Sequence, residues 1–181
     1  MQKLLEKLDF AHSKLTIGFV YYVEHLDKNG KRKSIERIDN LIPAVGVTYI
    51  LGAALNGVTA HDPWYASLYT VDYAPVPADT LVSLNTNGTE DPDKYTDVAG
   101  ARPTIVPALA DGLWSNAASP IDFVFGGGAD TIYGGFITNT QTRGVFTGTL
   151  LSAVKFGSAK VMGADETLRV TCGLQLTALA D

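Results

Sequence analysis

Nucleophilic catalysis needs a Ser, Thr or Cys beside a base that a third group orients, and this sequence offers little of that kind. No G-x-S-x-G elbow occurs, and Cys172 falls on the apolar parity of an alternating run, where a small buried hydrophobe is the expected role. One cysteine excludes an internal disulfide and a multi-cysteine metal site, and His12, His25 and His61 lie far apart in the chain. His61-Asp62 could act as base and orienter, but it precedes Pro63-Trp64 in a context that reads as a solvated turn. Glu90, Asp91, Asp93 and Asp97 could gather oxygen ligands for calcium, yet the Gly and distant Glu of an EF-hand loop are missing. Gly126-Gly127-Gly128 follows an apolar run as a phosphate cradle would, but no Walker Lys or G-x-G-x-x-G completes it, so a hairpin loop is expected. Asn87-Gly88-Thr89 is a glycosylation sequon in form alone. The expectation is a protein that is not an enzyme, with no cofactor and no metal.

Two other groups of residues could bind a partner. Lys28, Lys31, Arg32, Lys33 and Arg37 form a basic run, which serves as the wet strand of a hairpin or meets an acidic protein surface. Nucleic acid is disfavoured because the chain carries a formal charge of -5. That charge is uneven: residues 1–40 hold eight Lys/Arg against six Asp/Glu, and residues 41–181 hold six against thirteen. In the segment Trp64-Tyr65-Ala66-Ser67-Leu68-Tyr69, Trp64 and Leu68 share one strand face and Tyr65 and Tyr69 the other, so the second face meets another layer or a neighbouring subunit.

The elements that must position these groups follow from periodicity. Leu4, Leu5 and Leu8 have helical spacing, but a stretch of 1–12 is only marginally helical alone and needs a surface to lie against. The run at 15–25, the turn Asp27-Lys28-Asn29-Gly30 and the polar KRKSIERI predict a hairpin, with Asn-Gly supplying positive φ. Residues 43–55 predict one helix, begun at Pro43, ended at Asn56-Gly57, and carrying Val47, Ile50, Leu51, Ala54 and Leu55 as its apolar stripe. Beyond residue 63, short runs at 63–71, 102–109, 120–125, 131–138, 148–156 and 166–178 read as strands. The last alternates strictly, with Leu168, Val170, Cys172, Leu174, Leu176 and Ala178 on one face. Residues 72–100 are expected to be a long surface excursion with at most one short helical turn. The expected architecture is mainly β: an antiparallel β-sandwich, jelly-roll-like, over 41–181 with one short helix, preceded by an arm and basic hairpin over 1–40. No apolar run approaches the roughly 20 residues of a membrane span, and the charged opening is unlike a secretory signal, so a soluble, unprocessed chain is expected.

From Leu41 to Ala178 the sequence resembles virion proteins of tailed phages, of the head-decoration or cement kind. The resemblance rests on an ordered series: LIPAVGVTYILGAAL at 41–55, PWYASLY at 63–69, DYAPVPADT at 72–80, YTDVAGARPT at 95–104, SNAASPIDFVF at 115–125, IYGGFI at 132–137, GTLLSAVKF at 148–156 and DETLRVTCGLQL at 165–176. It implies a β-sandwich that binds the outer capsid lattice, without catalysis or cofactor, made in the bacterial host cytoplasm and residing on the virion. Its implied partners are the major capsid protein and neighbouring copies of itself, with neither nucleic acid nor membrane. The contact residues expected from the charge and apolar pattern are Leu4, Leu5, Leu8, Phe10, Lys31, Arg32, Lys33 and Arg37, with Trp64 and Tyr65 next. The alternatives are a phage tail or head–tail joining protein, and a carbohydrate-binding or hydrolytic β-sandwich. The last would require exposed rings in a groove with carboxylates about 5–10 Å apart.

Overall fold

The computed structural model describes residues 15–40, 42–91, 95, 100–126 and 129–178, with side chains at 15–17 and 175–178 left aside. Two antiparallel sheets pack face to face. The first runs β2(Arg32–Asn40), β1(Leu15–Leu26), β10(Glu166–Ala178), β6(Leu113–Ser115) and β5(Ala108–Ala110), with β7(Ile121–Phe125) also paired to β10. The second runs β4(Thr104–Ile105), β3(Trp64–Tyr69), β8(Asp130–Thr138) and β9(Leu150–Met162). No helix among the described residues is long and apolar enough to cross a membrane.

The β10 alternation holds: Leu168, Val170 and Cys172 are buried while Arg169 and Thr171 lie on the other face, only partly buried. Opposite them in the first sheet, Phe19, Tyr21 and Val23 of β1 enter the same core, where they meet Phe123, Ile137, Val154 and Phe156. Strand β1 lies between β2 and β10 and pairs with β10 from Leu15 opposite Ala178 to Leu26 opposite Thr167. Residues 15–40 therefore belong to the sandwich, and the expected boundary at residue 40 does not divide the structure. The hairpin turn also differs in detail. Only Gly30 takes a positive φ, 76°, while the Asp27 carboxylate accepts from the backbone N–H of Asn29 and Lys31, each at 2.9 Å. An Asx-type turn closed by one left-handed glycine replaces the two-residue Asn-Gly turn.

Helix α1 spans Ala44–Leu55 between Pro43 and Asn56, as expected, but its buried face is not the predicted stripe. Leu51 and Leu55 are 45% and 82% exposed, and the helix instead rests on Gly46, with Ile42, Val45, Tyr49 and Ile50 packed beside it. A Cβ on Gly46 would come within 2.4 Å of the Leu151 carbonyl oxygen, so the closeness of α1 to β9 decides which face turns inward.

The excursion after β3 is exposed over most of residues 71–80, as expected, but then folds back onto the sheet. It contains a second helix, α2(Leu81–Gly88), where only one helix was expected in the whole domain. Thr80 and Ser83 cap it reciprocally: Thr80 Oγ1 accepts from the Ser83 N–H at 3.2 Å, and Ser83 Oγ accepts from the Thr80 N–H at 2.9 Å. Leu81 and Leu84 are buried with Tyr69, Phe136, Leu150 and Ala153, a second apolar cluster on the outer face of the second sheet. Tyr69 thus meets a layer supplied by its own chain, and Tyr65 on the same strand is 9% exposed. The predicted strand at 102–109 breaks at Val106-Pro107 into β4 and β5, and Leu113–Ser115 adds a strand that the pattern did not announce.

Candidate interaction surface

The expected contact residues that the structure describes lie on two different sheets or their turns. Leu4, Leu5, Leu8 and Phe10 lie outside the described residues. The basic run is on the exposed edge of the first sheet, but most of its charges have partners within the chain. Arg32 Nε donates to Glu24 at 2.7 Å, Lys33 Nζ to Glu166 at 2.8 Å, and Arg37 Nη1 to Asp39 at 2.8 Å. Glu166 also accepts from the Gly163 N–H and lies 2.7 Å from His25 Nε2; Lys33, the Gly163 N–H and His25 together hold its carboxyl down to about 2. The field that this strand offers a partner is accordingly weaker than its composition implies. Trp64 and Tyr65 each expose only 9% of their surface and sit on β3 of the other sheet, so they do not form one patch with the basic strand.

The candidate catalytic and metal groups have other occupations. Burial pushes the Cys172 thiol up to about 12, which leaves almost no thiolate at neutral pH. The His61 ring stacks on Tyr49 at 5.3 Å between ring centres. Glu90 accepts four donors: Arg102 Nε at 2.6 Å and Ser67 Oγ at 2.5 Å on Oε1, and Arg102 Nη2 at 2.8 Å and the Gly144 N–H at 3.0 Å on Oε2. These use the four lone-pair sites of a carboxylate and leave none for a cation. Sequence reasoning missed this cluster because Arg102 was read only as the end of a strand. Its signal was an Arg twelve residues beyond an acidic tract, but only the folded second sheet brings the two together.

What the structure does assemble is an apolar groove at one end of the sandwich. It is a cavity of about 200 Å³ bounded by Tyr49 and Ile50 of α1, Trp64 of β3, Leu151 of β9, Leu174 of β10, Trp114 of β6, Leu109 of β5 and Gly112. The Tyr49 ring meets Trp64 edge-on at 5.2 Å, which fixes one wall, and Phe19 meets Trp114 edge-on at 6.0 Å behind the other. Near this end, Leu109 is 77% exposed and Val106 59% exposed, and α1 turns Leu51 and Leu55 outward. Single exposed apolar residues are ordinary, and of these only Leu109 lines the groove itself. No carboxylate among the described residues lines the groove, so what those residues offer is desolvation and shape.

No protein-family model matches the chain, and no curated protein matches it in sequence.

Proposed function

We propose that this chain is a non-enzymatic structural protein of a tailed-phage virion that binds the outer capsid surface and stabilises the lattice. The observation that carries the reading is the outward apolar face of α1, where Leu55 is 82% and Leu51 45% exposed. Among the described residues, Leu55 is left almost entirely uncovered and Leu51 about half covered. Burying one against a lattice contributes roughly 1.5–3 kcal/mol, more than an exposed ion pair at about 0.2–1 kcal/mol. The ordered motif series from Leu41 to Ala178 supports the virion assignment, and the in-chain pairing of Arg32, Lys33 and Arg37 supports an apolar rather than an electrostatic contact. A carbohydrate-binding role draws no support from Tyr65, which is 9% exposed, or from Trp64, which lines a groove with no described carboxylate.

The test is cryo-electron microscopy of the parent particle, followed by rebinding of purified protein to particles stripped of it. Density on the outer capsid is expected. Density confined to the tail would favour the joining or tail role, and absence from the particle would refute both. The Leu55→Glu variant should fold as wild type and lose roughly ten- to a hundredfold in particle affinity.

A further inference from the structure

We propose that Asn56 is a site of spontaneous deamidation in the folded protein, singled out by its surroundings from the Asn-Gly pairs of the chain, Asn29-Gly30, Asn56-Gly57 and Asn87-Gly88. In this reaction the backbone nitrogen of the glycine attacks the asparagine Cγ. An N–Cγ bond forms, the Cγ–NH2 bond breaks, and the side-chain nitrogen leaves as ammonia, whose added proton balances the one lost from the peptide N–H. Water then opens the cyclic imide. Attack at Cγ gives aspartate on the normal backbone, and attack at the main-chain carbonyl gives isoaspartate, in which the chain runs through Cβ and Cγ. Water is the co-reactant, and nothing is oxidised or reduced. Glycine favours the step because no Cβ crowds its nitrogen, so the fold decides by leaving that nitrogen free or tying it down.

The fold separates the three pairs. Gly88 is buried as the last residue of α2, with the Tyr69 ring 3.2 Å from where a Cβ would stand, which leaves the Asn87-Gly88 peptide little room to turn. Gly30 is exposed, but its N–H donates to the Asp27 carbonyl at 2.9 Å, and the Asp27 carboxylate holds the flanking N–H groups of Asn29 and Lys31 at 2.9 Å each. That nitrogen is tied inside its turn. Asn56 and Gly57 are both exposed at the end of α1, and the Gly57 N–H has no hydrogen bond among the described residues. The Asn56 N–H donates to the Gly52 carbonyl at 3.0 Å, and the chain is next held at Val58, whose N–H returns to the same oxygen at 3.1 Å. The peptide between them is free to turn. The product carries a local cost, because the new carboxylate lies at the negative end of α1, with no basic residue in the last turn to offset it. Isoaspartate also lengthens the chain between Gly52 and Val58, which pack closely: a Cβ on Gly52 would lie 3.0 Å from Val58 Cγ2. On the capsid reading, the charge beside Leu55 would lower particle affinity as the protein ages, but the modification itself does not rest on that reading.

The test incubates the purified protein at physiological temperature and mildly alkaline pH, beside a sample unfolded in urea, and follows each Asn-Gly pair by peptide mass spectrometry, which reads the replacement of –NH2 by –OH. In urea the three pairs should react at similar rates. In the fold, Asn56 is expected to stay within a few-fold of its urea rate, Asn29 to be slowed about tenfold by the bonds that must first break, and Asn87 by at least about a hundredfold. Protection of Asn56 equal to that of Asn29, or modification that begins at Asn29 or Asn87, would overturn the proposal. Neither this measurement nor the next uses particles, so failure here is separate from failure of the virion assignment. The second measures ammonia release from the folded Asn56→Gln variant, whose longer side chain closes the ring far more slowly. Release should fall several-fold below wild type, and an unchanged rate would overturn the assignment of the reaction to Asn56.

Discussion

Arg102 and Glu90 meet as a two-pronged ion pair, Nε to Oε1 at 2.6 Å and Nη2 to Oε2 at 2.8 Å, with side-chain exposures of 0% and 3%. The guanidinium also donates to the carbonyls of Thr140 and Val145, at 2.7 and 3.1 Å, and its carbon lies 5.5 Å from the Phe136 ring centre. One residue thereby ties the chain after α2, the entry to β4 and the β8–β9 connection together. Tyr95 extends the cluster through Ser67 at 2.9 Å, and burial pushes its hydroxyl up to about 12.

Breaking that pair should be severe. The Glu90→Gln variant leaves a buried guanidinium opposite a neutral amide, and a loss of about 3–5 kcal/mol is expected from the urea midpoint. Replacing both residues with apolar ones, Arg102→Met with Glu90→Leu, should cost less than either single change, since no buried charge is left unpaired. A single change costing under about 1 kcal/mol would contradict the packing around Arg102.

Gly46→Ala provides a test of sign. Helix propensity alone predicts a gain of about 1 kcal/mol. The 2.4 Å approach of a Cβ to the Leu151 carbonyl oxygen predicts a loss of about 1–3 kcal/mol instead, because backbone must move. Thermal melts of Gly46→Ala and Leu51→Ala should show the first lowered clearly and the second nearly unchanged.

Acid should remove one specific contribution. Glu166 is held down to about 2 by Lys33 Nζ, the Gly163 N–H and His25, against about 4.3 for a free glutamate. A carboxylate whose folded value is depressed stabilises the fold above its unfolded value, and that stability is lost as pH falls through the folded value. Stability should therefore decline from about pH 5 towards pH 2. Glu166→Gln should be less stable than wild type at pH 7 and should flatten the decline.

Cys172 should resist iodoacetamide in the folded protein at pH 7–8 and react fully once urea unfolds it. Burial at 2% exposure and a thiol pushed up to about 12 both act in that direction. Labelling that keeps pace with a free thiol would place the β10 face out of the core.

The alternation of Leu168, Val170 and Cys172, the Asp27–Gly30 turn and the limits of α1 at Pro43 and Asn56-Gly57 were all legible in the chain. Each is a local rule: a strand shows its faces every second residue, and proline and glycine act where they stand. The inward face of α1 was not legible, because Ile50, Leu51 and Leu55 look alike and the choice depends on Gly46 meeting β9 about a hundred residues away. Nor was the burial of Asp79 and Glu90, whose polar surroundings in sequence resemble a loop until Asp79 is seen accepting from Tyr73 and Ser83, and Glu90 from Arg102. The basic strand kept its place but lost its free charge, since Glu24 and Glu166 reach it only when β1, β2 and β10 form one sheet. Sequence by itself determined the long extended runs and the helix after Pro43, because those preferences are carried residue by residue, but not the helix Leu81–Gly88 or the strand Leu113–Ser115. Which charges are paired, which helix face is dry and where an apolar groove opens were decided by tertiary structure, because each depends on atoms brought together from distant parts of the chain.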